Sequence, residues 1–372
     1  MKIAILGTRG IPNNYGGFEQ FAEYLSLGLA KRGHEVTVYN PHFHPLDKKN
    51  FNGVNIIKIY SPEAFLGGGA ANFIYDFLCL NDAYNKGFDV IYELGYGSAA
   101  ISYFLLSFKK GKAVLITNMD GLEWKRQKWN ALIKWLTKKS EKMAINLSDY
   151  IVSDNVGIQN YYRDVHKKES IFLPYGAELT NELDKNFLQQ YNLRPKNYFL
   201  VIARLEPENN IELIINGHLK SMSAETLVII GNTKSKYGEH LKQRYASLKI
   251  RFLGGIYNKL AIDSLRHFSK SYLHGHSVGG TNPSLLEAMS CGCFIIAHDN
   301  EFNRSVLDSN AYFFSDVSGL SKIFNEIDQV LQGSSEMVEK NLEKIKAVYE
   351  WGKIISDHEV FFEDCVTKQH TA

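Results

Sequence analysis

Two successive series of alternating strand and helix patterns restrict the fold of this chain more than any other feature. Lys2–Leu6 and Glu35–Tyr39 are short, β-rich runs, and between them Phe18–Lys31 carries apolar residues at helical spacing and ends near Gly33. Further strand patterns in the first half are Asn55–Tyr60, Val90–Glu93, Ala113–Thr117 and Tyr150–Ser153. Such alternation predicts a parallel sheet with helices on both faces.

The alternation starts again after a segment that has the composition of a hinge. This segment begins at Leu173–Gly176 and continues through polar residues to Arg194-Pro195. The second series consists of strands at Tyr198–Ala203, Leu227–Ile230, Ile250–Phe252 and Cys293–Ala297 and helices at Ile211–Leu219 and Leu285–Met289. Because one core rarely exceeds about 250–300 residues, 372 residues predict two similar α/β domains with a crevice between them.

Composition and charge exclude several classes of protein. Apolar residues make up 45% and charged residues 22%, which is typical of a folded globular chain and excludes a disordered or collagen-like one. A net charge of +2 gives no general attraction to nucleic acid, so no nucleic-acid partner is expected. The cysteines, too scattered for a disulfide scaffold or a zinc site, are predicted to be buried free thiols: Cys79, Cys291, Cys293 and Cys365.

No targeting or membrane-spanning segment is evident in the sequence. The N-terminus enters a strand pattern directly, without a basic leader and cleavage site. The longest apolar stretch, Ala99–Phe108, is about half the length that a membrane-spanning helix needs. We therefore expect a cytoplasmic protein.

A glycine-rich turn follows the first strand. Gly7-Thr-Arg-Gly10 and Gly16-Gly17 bracket it, and the helix that begins near Phe18 offers free N–H groups to an anion. A tight turn without a ligand explains these glycines equally well. The dinucleotide motif G-x-G-x-x-G is absent, which weakens a dehydrogenase interpretation.

The segment from His274 to Met289 carries a denser signal. Asn282 is a good N-cap and Pro283 suits the first helical position, while Gly279 and Gly280 leave the helix start open to a phosphate. Glu287, about one turn in, would accept hydrogen bonds from ribose hydroxyls. A capped helix with an exposed glutamate is the alternative, but it leaves the glycine pair and the polar run His274, His276 and Ser277 unexplained.

Arg204 closes the first strand of the second series. Ligands of open α/β sheets bind beyond the carboxyl ends of strands, and the arginine fork can bond two phosphate oxygens. A surface ion pair to Glu206 or Glu208 is the alternative for Arg204. The two glutamates are weaker donor-site candidates, since either could merely cap the helix before Ile211.

Together these residues resemble the retaining family-4 glycosyltransferases of the GT-B fold, over nearly the whole chain. The shared segments are Gly16-Gly17, Lys31–Val38, Arg204–Asn210, Glu287–Gly292 and Trp351 in the terminal helix. Within that family the chain looks most like the capsule and cell-wall rhamnosyltransferase subgroup, through Gly7–Glu19, Asp120–Arg126 and Gly275–Ser284.

The resemblance implies two Rossmann-like, doubly wound parallel-sheet domains that face an interdomain cleft. Residues 1–178 would bind the acceptor, 195–345 the nucleotide sugar, and 346–372 would form a helix that packs back on the first domain. The implied reaction transfers rhamnose from dTDP-L-rhamnose, with retention, to a lipid-linked saccharide in capsule, exopolysaccharide or cell-wall polysaccharide synthesis. A UDP-hexose donor is the alternative.

The resemblance also assigns site residues. The implied catalytic residues are Asp120, Arg204 and Glu287, and the implied donor-binding residues are Gly16, Gly17, Arg204, Glu208, Gly279, Gly280, Thr281, Asn282, Ser284, Leu285 and Glu287. The chain contains no D-x-D motif, so no metal is expected, and the nucleotide sugar is a substrate, not a resident cofactor. Arg204, helix N-termini and loop amides would stabilise the leaving diphosphate instead.

The chain departs from the wider family at three positions. Gly279 replaces the first of two glutamates, Asn209 replaces a lysine that accompanies the arginine, and Asp120 replaces a histidine near the reacting carbon. Asp120 would orient the acceptor hydroxyl or take its proton. Considered without the family, Asp120-Gly121 is more typical of a simple turn.

The segment from Trp124 to Lys142 combines tryptophans with many cations. Lys134, Lys138 and Lys142 fall on one helical stripe, which suits an anionic leaflet. An ordinary amphipathic surface helix fits equally well. With the lipid-linked acceptor of the subgroup in mind, we expect peripheral contact with the inner face of the plasma membrane.

Two further function classes remain as alternatives. An oxidoreductase or epimerase using NAD would need a doubly wound sheet, but the missing dinucleotide motif and the second nucleotide-type half argue against it. A non-catalytic sensor of nucleotide sugars would use the same scaffold, and the altered positions Asn209 and Gly279 keep that possibility open.

Overall fold

The computed structural model describes residues 1–119, 121–126 and 129–371, and the chain divides into two compact units. The first unit comprises Met1–Lys125, Trp129–Tyr175 and Trp351–Ala372. The second comprises Arg126–Lys128 and Gly176–Glu350. The chain therefore returns to the first unit for its last helix.

The strands, numbered in chain order, are short and mostly buried. They are β1 (Lys2–Leu6), β2 (Glu35–Pro41), β3 (Asn50–Phe51), β4 (Val54–Ile59), β5 (Val90–Leu94), β6 (Val114–Asn118), β7 (Tyr150–Ser153), β8 (Ile171–Phe172), β9 (Tyr198–Ile202), β10 (Thr226–Ile230), β11 (Ile250–Gly254), β12 (Ser271–His274), β13 (Ile295–His298) and β14 (Tyr312–Phe314).

Helices connect most of these strands. They are α1 (Gly17–Lys31), α2 (Glu63–Lys86), α3 (Ala99–Leu105), α4 (Ala131–Leu147), α5 (Val156–His166), α6 (Asn186–Gln190), α7 (Ile211–Lys220), α8 (Lys236–Tyr245), α9 (Lys259–His267), α10 (Pro283–Ser290), α11 (Glu301–Leu307), α12 (Val317–Asn325), α13 (Ile327–Leu331), α14 (Ser334–Lys344) and α15 (Trp351–Thr371). Short 3₁₀ turns occupy Ser107–Lys109, Glu123–Lys125 and Pro207–Asn209, and a π-helical turn occupies Ile345–Tyr349.

Each unit contains one sheet. The first has the order β3-β4-β2-β1-β5-β6-β7-β8 and is parallel except for the pairing of β3 with β4. The second has the order β11-β10-β9-β12-β13-β14 and is parallel throughout. In each sheet the chain winds outward from the opening strand, β1 or β9, in one direction and then in the other, which is the doubly wound arrangement. The predicted α/β class with two parallel sheets is confirmed.

The sequence patterns located most elements but missed four strands. β1 and β7 have the predicted bounds, whereas β3, β8, β12 and β14 were not predicted. β12 is fully buried, yet its sequence Ser-Tyr-Leu-His shows neither alternation nor β-branched residues. The helix predicted at Leu285–Met289 extends over Pro283–Ser290, with Asn282 as the predicted N-cap.

The terminal helix α15 packs on α1 through aromatic contacts. The ring of Trp351 stacks on Tyr24 with a centroid distance of 4.5 Å and an interplanar angle of 6°. Gly28 lets the helices approach, because a Cβ atom there would lie 2.4 Å from Cδ1 of Ile355. The buried His358 fills the space beside Phe21. The last helix is thereby part of the hydrophobic core of the first unit.

The cysteines match the expectation from the sequence. All of them, Cys79, Cys291, Cys293 and Cys365, are buried and unoxidised. Among the described residues, the helices are all too short or too polar to cross a bilayer.

Replacing Trp351 with alanine should destabilise the protein by about 3–5 kcal/mol, because the substitution removes a buried aromatic ring and leaves a cavity. Trp135→Ala is the matched control, since Trp135 is 57% exposed and its loss should change stability by about 0.5 kcal/mol or less. Urea denaturation of both variants measures the difference. Equal stability of the two variants would mean that α15 does not contribute to the core as described.

Candidate functional site

The candidate site lies at the carboxyl edge of the second sheet, where the direction of winding reverses between β9 and β12. These strands are hydrogen-bonded neighbours, and both end in polar segments. In open α/β sheets this switch point opens a crevice in which ligands bind. Arg204 follows β9, and Gly275 follows β12.

The two segments beyond β9 and β12 are bonded to one another. Ser277 donates from its backbone N–H (3.0 Å) and its hydroxyl (2.8 Å) to the carbonyl of Glu208. The side-chain amide of Asn210 donates to the carbonyl of Gly275 at 2.8 Å. Gly275 is required here, because a Cβ atom at this position would lie 2.2 Å from the carbonyl oxygen of Asn209. The site is therefore built from two loops held at close range.

The start of α10 has the predicted N-cap. The side chain of Asn282 accepts a hydrogen bond from the N–H of Ser284 at 2.9 Å, and Pro283 occupies the first helical position. Leu285 also donates to the carbonyl of Asn282, at 3.0 Å. Two of the amides expected to face a phosphate, those of Ser284 and Leu285, thus already donate within the chain.

The residues just before α10 are the more open part of this loop. Gly279 has φ +121°, a conformation that favours glycine, and no atom lies within 4 Å of a Cβ placed there. Gly280 is half-buried and Thr281 is buried. Because the amides of Ser284 and Leu285 already donate within the chain, the amides of Gly279 and Gly280 are the better candidates for an anion.

Arg204 is exposed and pairs with a neighbouring carboxylate. Its side chain is 64% exposed, and Nη1 lies 3.6 Å from Oε1 of Glu206. This is the surface ion pair that the sequence left open as an alternative. Pairs of this exposure contribute little stability, so the guanidinium is available to a stronger ligand at little cost. Asn209, which stands where the family lysine is expected, donates to the carbonyl of Arg204 at 2.7 Å.

Glu208 is buried without adequate pairing. It is 2% exposed, and within the described part of the chain neither carboxylate oxygen has a hydrogen-bond partner. The ion pair found for it is with Arg126, at 3.7 Å. Burying a carboxylate without hydrogen bonds costs free energy of folding. A buried group left in this state is typical of a residue that binds a ligand.

Two stacked histidines lie at the end of β12. The rings of His274 and His276 are 4.4 Å apart at an interplanar angle of 13°. Burial lowers the pKa of His274 well below its usual range, and burial together with the charge of Arg204 lowers the pKa of His276 to about 3. Neither ring nitrogen of His274 has a hydrogen-bond partner among the described residues. Both imidazoles are therefore neutral at physiological pH and suit polar groups of a ligand.

Glu287 lies on α10 one turn beyond the N-cap, as expected from the sequence. Its side chain is 31% exposed, and it forms an ion pair with the buried Arg266 of α9. Arg266 was not identified from the sequence, because no motif links a position in α9 to one in α10.

The first sheet differs at the equivalent position. Gly16 is the N-cap of α1 and Gly17 its first residue, but Glu19 in the first turn is buried, and one of its oxygens accepts the N–H of Arg9 at 2.8 Å. Gly7 lies beside β5, where a Cβ atom would be 2.4 Å from the carbonyl oxygen of Leu94. The chain's own carboxylate thus occupies the turn that the sequence made a candidate for a phosphate.

A pair of buried carboxyl groups lies near the end of β5. Burial raises the pKa of Asp76 to about 7, and burial together with the charge of Asp76 raises the pKa of Glu93 well above its usual range. Neither carboxylate oxygen of Glu93 has a hydrogen-bond partner in the described residues. Sequence patterns did not identify either residue. Asp120, the expected catalytic residue, lies outside the described residues.

One cluster in the described part of the chain has the composition of a metal site: His34, Glu359 and Glu363. Nε2 of His34 lies 2.7 Å from Glu359, and Arg32 also pairs with Glu359. The arginine already supplies a positive charge to this carboxylate, so the cluster is better described as an ion-pair network between the end of α1 and α15.

Comparison with known families divides the chain at nearly the same place as the fold. Residues 184–349 match the family described as Glycosyl transferases group 1. Residues 1–178 match a family described as Domain of unknown function (DUF1972).

Similar proteins cover the whole chain. The uncharacterized glycosyltransferase MJ1069 of Methanocaldococcus jannaschii is 24% identical, over 98% of this chain and 99% of its own. Sucrose-phosphate synthase from Thermosynechococcus elongatus has a TM-score of 0.82 at 16% identity, covering 99% of both chains. HepE from Anabaena, in complex with UDP-glucose, has a TM-score of 0.76 at 13% identity, covering 98% of this chain and all of its own. These structures share the GT-B fold with this chain.

Asp76→Asn should stabilise the protein at pH 8. The folded-state pKa of Asp76 lies above its ordinary value of 3.8, so the stability that this group contributes is present below pH 3.8 and is lost as the pH rises through about 7. Asparagine resembles the protonated form, and the gain at pH 8 should be on the order of 2–4 kcal/mol. It should disappear near pH 4.

Thermal unfolding from pH 4 to pH 8 measures this effect. Asp47→Asn is the matched control, because Asp47 is 94% exposed and Lys58 lowers its pKa, so this variant should gain nothing at pH 8. If Asp76→Asn were less stable than the natural protein at pH 8, the buried group would be a carboxylate, contrary to our description.

Proposed function

For this chain, a glycosyltransferase with the GT-B fold, we propose a reaction that moves a sugar from a nucleotide diphosphate to a lipid-linked saccharide with retention. The proposed donor is dTDP-L-rhamnose, by resemblance to the rhamnosyltransferase subgroup, with a UDP-hexose as the alternative. The proposed role is in the synthesis of capsule, exopolysaccharide or cell-wall polysaccharide.

One observation carries the proposal for the donor. The end of β12 and the loop after β9 place two buried polar groups that lack hydrogen-bond partners among the described residues, His274 and Glu208, near an exposed arginine at the switch point of a doubly wound sheet. Buried polar groups are normally hydrogen-bonded, so a cluster of them at this edge favours a polar ligand. Gly279, before α10, leaves room for it.

Each part of the donor has a proposed partner. The diphosphate would be bound by Arg204, which exchanges Glu206 for the phosphates, and by the amides of Gly279 and Gly280. A ribose hydroxyl would donate to Glu287. HepE, a structural neighbour, was solved with UDP-glucose, and this supports the class of donor.

The proposed mechanism needs no metal and no covalent nucleophile. As the bond between sugar and diphosphate breaks, negative charge grows on the leaving phosphate, where Arg204 and the loop amides stabilise it. The leaving phosphate and the acceptor would lie on the same face of the sugar, so that this phosphate helps to remove the proton from the acceptor hydroxyl. Asp120 is the proposed group that orients this hydroxyl or takes its proton.

Contact with an anionic membrane surface is part of the proposal, because the acceptor is expected to be lipid-linked. α4 carries Lys134, Lys138 and Lys142, and its acidic residue, Glu141, is fully buried. Trp135 and Leu132 on the same helix are more than half exposed. Cations next to exposed aromatic and aliphatic side chains are typical of helices that lie on anionic leaflets.

The neighbouring helix α3 adds exposed apolar side chains to the proposed membrane-contacting surface. α3 packs against α4, and α3 with the turn after it exposes apolar side chains at helical spacing: Ile101, Phe104, Leu105 and Phe108. Phe104 is 63% and Phe108 is 79% exposed. An exposed apolar stripe beside a basic helix fits a membrane better than water.

Arg204→Gln should weaken binding of the nucleotide sugar by about 10- to 100-fold, since it removes a charged partner of the diphosphate. Asp120→Asn should leave donor affinity unchanged and lower turnover by about 100-fold or more. Calorimetric titration with dTDP-L-rhamnose and UDP-glucose, followed by mass spectrometry of a lipid-linked acceptor, separates the two effects.

The matched control for the arginine is Arg251→Gln, whose guanidinium contacts backbone carbonyls of Tyr191 and Asn192 away from the site. This control should bind the donor normally. If neither nucleotide sugar binds the natural protein, the proposed function is wrong, and normal turnover by Asp120→Asn would remove Asp120 from the mechanism.

Replacing Lys134, Lys138 and Lys142 with alanine should weaken binding to anionic vesicles by about 100-fold at low salt, because each lysine near such a surface contributes about 1 kcal/mol. Co-sedimentation with vesicles of phosphatidylglycerol and phosphatidylcholine measures this. The control replaces three exposed lysines of the second unit, Lys234, Lys236 and Lys242, and should bind as the natural protein does. Equal losses in both triple variants would argue for nonspecific charge attraction instead.

A further inference from the structure

A buried arginine lies behind the candidate nucleotide site and has no part in the function proposed above. Arg266 belongs to α9, and its side chain is 3% exposed. A fully buried guanidinium needs strong partners, because removing a charge from water is costly. Its partners indicate what it does.

The guanidinium joins two carboxylates. Nη1 donates to Oδ1 of Asp263 at 3.0 Å, and Nη2 donates to Oε2 of Glu287. Asp263 also pairs with Lys259 at 2.6 Å. Burial by itself lowers the pKa of Arg266, but the charges around it, that of Glu287 first, outweigh this, so the pKa rises and the arginine stays charged.

Arg266 also contacts the first turn of α10, through Ser284. Nη2 of Arg266 lies 3.4 Å from the hydroxyl of Ser284. This hydroxyl is 2.7 Å from the Tyr272 hydroxyl and 3.4 Å from the carbonyl of Ile202. Arg266 therefore links Glu287 and the first turn of α10 to Ile202 at the end of β9 and to Tyr272 in β12.

Such a link matters for Glu287 in particular. A glutamate on a helix surface has several rotamers, and binding a ligand through it means losing that freedom. The Glu287 side chain is only 31% exposed, and a buried, immobile guanidinium holds one of its oxygens. Its carboxylate is thus held in one orientation before any ligand arrives.

We propose that Arg266 is a positioning residue of the nucleotide site, which orients the carboxylate of Glu287 toward a ribose hydroxyl of the donor. The inference rests on the proposed function, since it assumes that a nucleoside diphosphate binds next to α10. It predicts that Arg266, without touching the ligand, determines how strongly the protein senses the hydroxyls of the ribose. A purely structural ion pair would not have this effect.

The test compares nucleotides with and without ribose hydroxyls. The probes are two matched pairs: UDP with 2′,3′-dideoxyuridine diphosphate, and dTDP with 3′-deoxythymidine diphosphate. The natural protein should prefer the hydroxyl-bearing member by about tenfold or more, the range of a hydrogen bond to a charged group. In Arg266→Met this ratio should fall to about one, while affinity for the deoxy member stays within about twofold.

Glu287→Gln, and the double variant that combines it with Arg266→Met, show whether Arg266 acts on the affinity ratio through Glu287. Glu287→Gln should lower the ratio as Arg266→Met does, and the double variant should show no additional loss, since both changes remove the same interaction. Arg266→Lys should recover part of the ratio, because lysine keeps the charge but not the planar fork. It also provides an answer if Arg266→Met does not fold.

The matched control is Lys270→Met, which removes another nearly buried cation from the same unit. Lys270 directly precedes β12, at the amino end of the strand and away from the site, and it forms an ion pair with Glu225. This variant should unfold at a lower temperature and keep the natural ratio. If Arg266→Met weakens both members of a pair equally, Arg266 is structural only and the inference is wrong. If no nucleoside diphosphate binds the natural protein, it is the proposed function that fails.

Discussion

The candidate site depends on the close contact between the loop after β12 and the loop after β9. Gly275 makes this contact possible, since any side chain there would collide with the carbonyl of Asn209. The backbone N–H and the hydroxyl of Ser277 then donate to the carbonyl of Glu208, and these hydrogen bonds hold the two loops together. The buried Glu208, the histidine pair and the glycines before α10 all occupy their positions because these two loops are joined.

Much of this arrangement was predictable from local signals. Asn282 and Pro283 mark the start of a helix wherever they occur before an apolar run, and Arg204 closes a strand whose pattern is clear. β12 was not predictable in the same way. A strand buried on both faces need not alternate apolar and polar residues, and the polar residues at both ends of β12 obscure its apolar pattern. His274 was therefore identified only as part of an unexplained polar run.

The contacts that tertiary packing creates were beyond the sequence. Arg266 and Glu287 are separated by 21 residues and lie on different helices, and Asp76 and Glu93 lie on a helix and a strand. No spacing rule connects such pairs, because their proximity follows from how α9 packs on α10 and α2 on the first sheet. The same holds for the lowered pKa of His276, which results from burial and from the charge of Arg204.

The two sheets share one winding pattern but differ in the charged and polar groups that lie at the carboxyl ends of their strands. At the first sheet the chain places the buried Glu19 in the first turn of α1, where its carboxylate accepts the backbone N–H of Arg9 and its negative charge disfavours a diphosphate. At the second sheet it places an exposed arginine and two neutral imidazoles, and the buried Glu208 there lies 3.7 Å from Arg126. This electrostatic difference supports the proposal that the diphosphate of the donor binds at the second sheet and that the first sheet takes a neutral, hydroxyl-rich acceptor.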